Sequence, residues 1–403
     1  MSRTWWSVAA VSGCYAAGMA ANTVPTPLYP LYQQRDQFGV STATLVYGVY
    51  AAGVLASLLL AGRVSDRAGR RPVLVVSVVV QVLGIAAFVL WPGLTGLLVA
   101  RVLSGLAVGV LTPTASAFLV DLYAGPDDAS PARYAGPDRA ARTGTAANFG
   151  GLAAGPLLSG MLAQWAPAPL VLPYLVYAAL LALGLAGLRL APDVRPPEPG
   201  WRFRPQRPAV PGSGRAVFWA AAWGNLLAFA VLGLYVGMTP AFLNAIGRGG
   251  SPALAGAAVS AVLAAGTATQ LSTARLPRAR LVMPSLVLVW CGLALGTVAV
   301  WASELVTFLI GGVLCGGGAG LLFKVSVAAG TAQAEDGHDR AGVLATLFLA
   351  AYAGMSIPVI GLGVATQHTG ARIALTGFAV LAASVLAGVA PGLLRGHASH
   401  DRR

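Results

Sequence analysis

The sequence is poor in charge. Only 10% of its 403 residues are charged, and 57% are hydrophobic. Soluble globular domains carry about 25% charged residues, so this scarcity excludes an ordinary soluble protein of this size. We therefore expect an all-α integral membrane protein.

Cysteine and histidine are also scarce. The three cysteines all lie inside apolar segments, at Cys14, Cys291 and Cys315. This placement excludes a disulfide framework and a cysteine metal site. The four histidines fall in predicted loops or the tail, at His338, His368, His397 and His400. No cofactor or metal is therefore expected, and a membrane-embedded enzyme, the alternative from another class, lacks convergent catalytic groups.

Lysine is nearly absent, since Lys324 is the single lysine among 26 basic residues, although the net charge is +13. The arginines form short runs between apolar segments, without the aromatic interleaving of a nucleic-acid surface. We therefore expect no nucleic-acid partner. Membrane lipids with anionic headgroups fit this distribution of charge better.

Twelve apolar segments are each long enough to cross a membrane, which takes about 20 residues of helix. They are approximately 5–28, 43–61, 72–91, 94–120, 143–164, 170–190, 216–243, 252–274, 281–301, 305–329, 341–365 and 373–394. This count predicts twelve transmembrane helices.

A linker rich in proline and arginine divides the segments six to six. We expect an N-terminal six-helix bundle at 1–190, a cytoplasmic linker at 191–215, a C-terminal six-helix bundle at 216–394 and a cytoplasmic tail at 395–403. Such a linker is typical of a flexible connection between two units. A single chain would then supply both bundles, and we expect a monomer.

The arginines also predict the orientation. With the N-terminus inside, most of them fall in cytoplasmic segments, and the external segments hold only Arg35, Arg248 and Arg372. Positive residues are enriched on the cytoplasmic side of membrane proteins. Both termini are therefore expected in the cytoplasm, in the plasma membrane of a bacterium.

A charged turn, GRVSDRAGRRP at residues 62–72, separates the second and third segments. Glycine allows a tight bend, and arginines alone could serve as positive-inside charge. The spacing nevertheless resembles the loop signature of the major facilitator superfamily (MFS). The matching positions are Gly62, Asp66, Arg67, Gly69, Arg70, Arg71 and Leu74. The resemblance implies a cytoplasmic gate in which Asp66 and Arg70 pair with Asp121.

The fifth segment carries a second motif, at Gly151, Gly155, Pro156 and Gly160. Small residues four apart permit close helix packing, and proline bends a helix, so packing alone could explain them. They also resemble the antiporter motif of the twelve-span drug:proton antiporters. Ser159 departs from that pattern.

Arg101 lies seven residues into the fourth segment, about 10 Å from its outer end. An intramembrane arginine is costly and marks a functional site by default; Leu97, Arg101 and Gly105 also resemble the superfamily's fourth-span motif. Mid-span polar and aromatic residues are candidates for a substrate cavity, although each could be a helix-to-helix hydrogen bond instead. They are Asn22, Tyr50, Arg101, Asn225 and Tyr352. Lys324, nearer a segment end, is expected to reach the interface along its stem.

The resemblance implies a secondary active transporter that works by alternating access. We expect proton-coupled export of small amphipathic or drug-like compounds, since a cavity with few charges suits lipophilic cargo. The alternative is an importer or uniporter of a small neutral or anionic metabolite, with Arg101 as its anchor. No Asp or Glu lies in the cavity-forming segments, so proton coupling follows from the resemblance alone.

Overall fold

The computed structural model describes residues 2–61, 64–124, 136–191, 207–334 and 337–398. Gly62 of the charged turn, most of the predicted linker at 191–215 and the end of the tail at 395–403 lie outside these residues. The regular secondary structure of the described residues consists of helices joined by short turns and loops, with no strand.

Eight helices form the N-terminal half. They are α1 (Ser2–Thr23), α2 (Tyr29–Asp36), α3 (Val40–Ala61), α4 (Val64–Ala68), α5 (Arg70–Leu90), α6 (Leu94–Ala124), α7 (Gly136–Trp165) and α8 (Leu172–Leu190). Glycines in left-handed conformation separate neighbouring helices where the chain reverses, at Gly69 with φ 90° and Gly93 with φ 94°. Residues with a Cβ are disfavoured there.

Six helices form the C-terminal half. They are α9 (Arg215–Ala245), α10 (Pro252–Ser272), α11 (Ala279–Ala302), α12 (Leu305–Thr331), α13 (Gly337–Thr369) and α14 (Ala371–Ala398). Helix α10 begins with a capped turn in which the Ser251 hydroxyl accepts a hydrogen bond from the Leu254 amide at 3.2 Å. Pro252 occupies the first helical position, where no amide hydrogen is needed.

The prediction of an all-α membrane protein is confirmed. Within the described ranges, ten helices are long and apolar enough to cross a membrane. The other two long helices, α1 and α7, are less apolar: α1 ends in Asn22 and Thr23, and α7 starts with charged residues such as Arg139 and Arg142. The apolar segments predicted the helices well because a lipid-facing helix must be apolar along most of its length.

The long helices form two six-helix bundles. In the N-terminal bundle, α6 packs against α1, α3, α5 and α7, while α8 packs against α1 and α5. In the C-terminal bundle, α9 packs against α12, α13 and α14, while α12 also packs against α10 and α11. The bundles meet along two seams, α7 against α10 and α3 against α13.

The seams close the molecule at one end. We call the end that carries Arg70, Arg189 and Arg215 the basic end, and the other the opposite end. At the opposite end, the Ser251 hydroxyl donates to the Gln164 amide oxygen at 3.0 Å, and the Ser41 hydroxyl donates to the amide oxygen of Gln367. These bonds join residues from different halves, so the halves are in contact there.

Glycines make the α7–α10 seam tight. A Cβ on Gly256 would lie 2.1 Å from the Pro156 carbonyl oxygen, and one on Gly160 would lie 2.5 Å from the Pro252 carbonyl oxygen. The Ser260 hydroxyl adds a 2.6 Å hydrogen bond to the Ala153 carbonyl. Backbone approach this close requires residues without side chains.

Candidate functional site

Arg101 is buried in the N-terminal bundle, with 2% of its surface exposed. Its Nη1 donates to the Asn22 carbonyl at 2.8 Å, while Nε and Nη2 donate to the Tyr29 hydroxyl at 3.0 and 2.5 Å. A guanidinium carries five N–H donors, and these three contacts fix its orientation. The charge is thus held by neutral dipoles.

The break after α1 supplies both acceptors. Helix α1 ends at Thr23, a short 3₁₀ turn follows at Thr26–Leu28, and α2 starts at Tyr29. The last carbonyls of a helix lack partners within it, and Pro25 has no amide hydrogen to offer. The free Asn22 carbonyl therefore faces Arg101 beside the first hydroxyl of α2.

Aromatic rings surround the same guanidinium. Its carbon lies 5.5 Å from the Tyr29 ring centre and 5.9 Å from the Phe88 ring centre. Phe88 stacks on Tyr174 at 4.8 Å, and the Tyr174 hydroxyl accepts a 2.9 Å hydrogen bond from Tyr32. Cations are attracted to ring faces, most strongly when desolvated. No ion pair among the described residues includes Arg101.

A cavity of about 490 Å³ lies between the two bundles. Four of the five residues predicted for the cavity line it: Asn22, Tyr50, Arg101 and Tyr352. At the basic end its wall includes Val120 and Ala141, which are exposed. The cavity therefore runs from the buried arginine towards the basic end.

Asn225, the fifth residue predicted for the cavity, lies outside its lining. It is fully buried and is not among the residues that line the cavity. It lies one helical turn before Phe229, which does line the cavity, so both occupy one face of α9. Helical periodicity predicts which face of α9 points towards the cavity. How far the cavity extends along that face depends on the packing of the surrounding helices.

An aromatic belt crosses the cavity. Of its residues, only the two tyrosines were predicted from the sequence. We define the belt as Tyr50, Phe149, Phe229, Phe323, Phe348 and Tyr352. Ring centres of neighbours in the belt lie 5.4 to 6.5 Å apart, in tilted or edge-on geometry. The Tyr50–Tyr352 and Phe149–Phe323 pairs join opposite halves. In sequence, these phenylalanines look like any other apolar residue of a membrane segment.

Five buried polar atoms at the cavity have no hydrogen-bond partner among the described residues. They are the Tyr15 hydroxyl, the Asn22 amide oxygen, the Thr26 hydroxyl, the Asn148 amide oxygen and the Gln270 amide nitrogen. Tyr15, Asn22 and Thr26 are at least 93% buried. An unpaired buried polar group costs about 1–3 kcal/mol, so these atoms favour a molecule in the cavity that can hydrogen-bond to them.

The charged turn forms a compact network at the basic end. The Arg70 guanidinium donates to Asp66 at 2.6 Å, to the Ser65 hydroxyl at 2.9 Å and to Asp121 at 3.0 Å. The Arg70 side chain is 5% exposed, whereas that of Asp66 is 51% exposed. The structure thus brings together the three residues proposed as a gate, joining the start of α5 to the end of α6.

The remaining residues of the turn have separate positions. Gly69 adopts φ 90° directly before α5, a backbone conformation that favours glycine. Arg71 donates to the Arg189 carbonyl at the end of α8, at 3.0 Å, and Arg67 is exposed. Arg71 therefore stabilises a helix C-terminus, while Arg67 is available at the surface.

The second motif packs helices. A Cβ on Gly151 would lie 2.4 Å from the Ala16 carbonyl, and one on Gly155 would lie 2.4 Å from the Ala20 carbonyl. Gly151 and Gly155 thus let α7 approach α1. Gly160 and Pro156 contact α10 across the seam between halves, so the motif links both contacts of α7.

Lys324, expected to reach the interface along its stem, contacts the end of a neighbouring helix. Its ammonium donates to the Thr273 carbonyl at 2.7 Å and to the Thr273 hydroxyl at 3.3 Å. Thr273 follows the last residue of α10. The lysine therefore caps a neighbouring helix in the same half, where a cation complements the helix dipole.

Two helical bundles with a cavity between them, closed at one end by paired seams, are the architecture of one class of membrane transporters. The family model described as Major Facilitator Superfamily matches residues 11–335. The chain therefore belongs to the Major Facilitator Superfamily, and it is a transporter and not an enzyme.

Solved structures of transporters share this fold. A bacterial homolog of the human lysosomal transporter Spinster, inward-facing and unoccupied, is 14% identical, with TM-score 0.67 and 98% of each chain covered. The human organic anion transporter MFSD10 (TETRAN) is 17% identical, with TM-score 0.62 and coverage of 95% of this chain and 99% of that one. A POT family transporter in complex with 5-aminolevulinic acid is 14% identical, with TM-score 0.70 and coverage of 94% and 93%. At these identities the likeness concerns the fold.

Proposed function

We propose that this protein exports small amphipathic or drug-like compounds by alternating access, coupled to protons. The observation that carries the proposal is the cavity itself. It is closed at the opposite end by the two seams between the halves, α7 against α10 and α3 against α13, and it continues to exposed residues at the basic end. Such a cavity is one of the two states that alternating access requires.

The basic end is cytoplasmic in this proposal, with both termini, because arginines concentrate there. The cavity is then open to the cytoplasm of a bacterial cell, ready to load cargo for export. Residues 1–190 and 216–394 move as two bundles, joined by a linker at 191–215 and followed by a tail at 395–403. One chain supplies both walls of the cavity, which supports a monomer.

The chemistry of the cavity supports an amphipathic cargo. The aromatic belt offers ring faces and edges to an apolar or aromatic body. The unpartnered hydroxyls of Tyr15 and Thr26 and the amide oxygen of Asn22 offer hydrogen bonds to a polar end. Proton coupling is supported by the resemblance of residues 151–160 to the antiporter motif. We assign Arg101, the charged residue of the cavity, to this coupling.

Arg101 also favours a second candidate, a carrier of organic anions. Within the described residues, no Asp or Glu lines the cavity. The positive charge of Arg101 is therefore buried beside the cavity without a carboxylate partner, and an anionic cargo would supply one. Such a carrier need not move protons.

One experiment distinguishes the two candidates. The purified chain is reconstituted in liposomes with a pH-sensitive dye inside, and lipophilic cations, neutral drugs and aromatic carboxylates are added in turn. Arg101→Ala is compared with the parent and with Arg280→Gln, a matched loss of an exposed arginine.

We expect cations or neutral drugs to drive proton movement in the parent and in Arg280→Gln, and not in Arg101→Ala. Uptake of carboxylates without a proton signal, again lost in Arg101→Ala, would instead establish the anion carrier. Transport unaffected by Arg101→Ala would contradict both assignments of this residue.

A further inference from the structure

A groove lies on the outer surface of the C-terminal bundle, between the start of α9 and the end of α14. Its volume is about 360 Å³, and it is separate from the central cavity. Trp219 and Trp223 line it from α9, and Gly388 and Gly392 line it from α14. Both faces are apolar, as expected for a surface in contact with acyl chains.

The residue types of the two helices leave the groove open. Each tryptophan is 49% exposed and projects beside the groove. Gly388 has nothing within 4 Å of the position a Cβ would take, whereas at Gly392 that position is 2.5 Å from the Ala220 methyl. The helices therefore touch at Gly392, and a channel remains open at Gly388.

Two arginines extend the groove at the basic end. Arg215 precedes Trp219 by four residues on α9, and Arg395 follows Gly392 by three residues on α14. Residues three or four apart share a helix face, so both arginines continue the walls of the groove. Both are exposed, and neither forms an ion pair within the described ranges.

We propose that this groove binds an anionic phospholipid. One acyl chain lies along the glycines between the tryptophans, and the headgroup phosphate contacts Arg215 and Arg395. Along the helix axis, the apolar wall of the groove is followed by the two arginines at the basic end. In a phospholipid, the apolar acyl chain is followed by the charged headgroup in the same order. Tryptophan is suited to that boundary, since its ring is apolar and its N–H can donate.

Charge favours a lipid over a second copy of the chain. A symmetric dimer through this groove would bring the arginines of both copies to one interface, where like charges repel. An anionic headgroup neutralises them instead. A basic residue near a membrane surface adds about a fivefold preference for anionic lipid.

The test uses the full chain in detergent micelles, titrated with brominated phosphatidylglycerol or brominated phosphatidylcholine, which quench nearby tryptophan fluorescence. The quenching due to the groove is the part lost in the double variant Trp219→Phe/Trp223→Phe. We expect this part of the quenching to saturate at a several-fold lower concentration of phosphatidylglycerol than of phosphatidylcholine. The double variant Arg215→Gln/Arg395→Gln should lose that preference, and Arg280→Gln should keep it.

Gly388→Leu provides an independent arm, because it fills the channel and leaves the arginines in place. We expect it to weaken the quenching by both lipids. Equal quenching by the two lipids in the parent, a preference that survives loss of both arginines, or no effect of Gly388→Leu would each overturn the proposal. So would loss of a dimer in Gly388→Leu, measured by light scattering, since the groove would then be a subunit interface.

Discussion

At the scale of single residues, Arg101 shows how a charge is kept inside a membrane protein without an opposite charge. Its partners are a helix-terminal carbonyl, a tyrosine hydroxyl and two aromatic faces. Hydrogen bonds to a charged group contribute about 1.5–3 kcal/mol each. The Tyr29 hydroxyl accepts two of them, so it is the partner whose loss matters most.

We therefore expect Tyr29→Phe to lower the free energy of unfolding by about 2 kcal/mol, because the ring stays and the acceptor goes. The measurement is thermal unfolding of the purified protein in detergent. Tyr123→Phe is the matched control, since its hydroxyl bonds to the neutral Thr143 hydroxyl at 3.0 Å. A decrease no larger than that of the control would show that Tyr29 does not hold the arginine.

At the scale of helices, the α7–α10 seam determines which end of the cavity is closed. Gly256 and Gly160 allow two backbones to touch at the opposite end, and a Cβ on Gly256 would lie 2.1 Å from the Pro156 carbonyl. Opening of the opposite end would separate this seam and relieve that overlap. A substitution there should act on the balance between conformations more than on the fold of either bundle.

We expect Gly256→Leu to separate the seam and favour the state open at the opposite end. The measurement is the rate at which a maleimide modifies Ser251→Cys, in a background with the three native cysteines replaced by serine. The rate should rise several-fold relative to the same background without the leucine. Gly377→Leu is the control, because nothing lies within 4 Å of its Cβ position, and an equal rise there would contradict the role of the seam.

At the scale of the whole molecule, the distribution of arginine and the shape of the cavity together give a direction. The basic end holds the Arg70 network and the mouth of the cavity, while the opposite end holds the closed seams. If the basic end is cytoplasmic, the structure represents the state that accepts cargo from inside the cell.

Labelling of single cysteines in intact cells tests this orientation. With the native cysteines replaced, Arg372→Cys at the opposite end should react with a membrane-impermeant maleimide. Arg280→Cys at the basic end should react only after the membrane is permeabilised. The reverse pattern would place the basic end outside and turn the proposed export into import.

Much of this architecture could be predicted from the sequence because membrane helices are constrained locally. A stretch of about 20 apolar residues must span the lipid, which gave the helices and their number. The linker rich in proline and arginine gave the division into two halves. The charged turn could be located from its residue types, and the gate was implied by its resemblance to the superfamily signature, whereas Arg101 could be found from its position inside an apolar segment. Four of the five residues predicted for the cavity line it, and for Arg101 the reason is that a charge is rarely placed in mid-membrane without use.

Only the tertiary structure decided which side chains face each other. Phe149 and Phe323 meet across the cavity although 174 positions separate them, and Asn225 is buried although it shares a helix face with Phe229. Lys324 caps α10 because Thr273, the residue that follows this helix, lies beside the lysine. The hydropathy of a membrane helix depends on its own residues, so it can be predicted from the sequence. Packing between helices that are distant in sequence determines where the cavity opens and which residues line it.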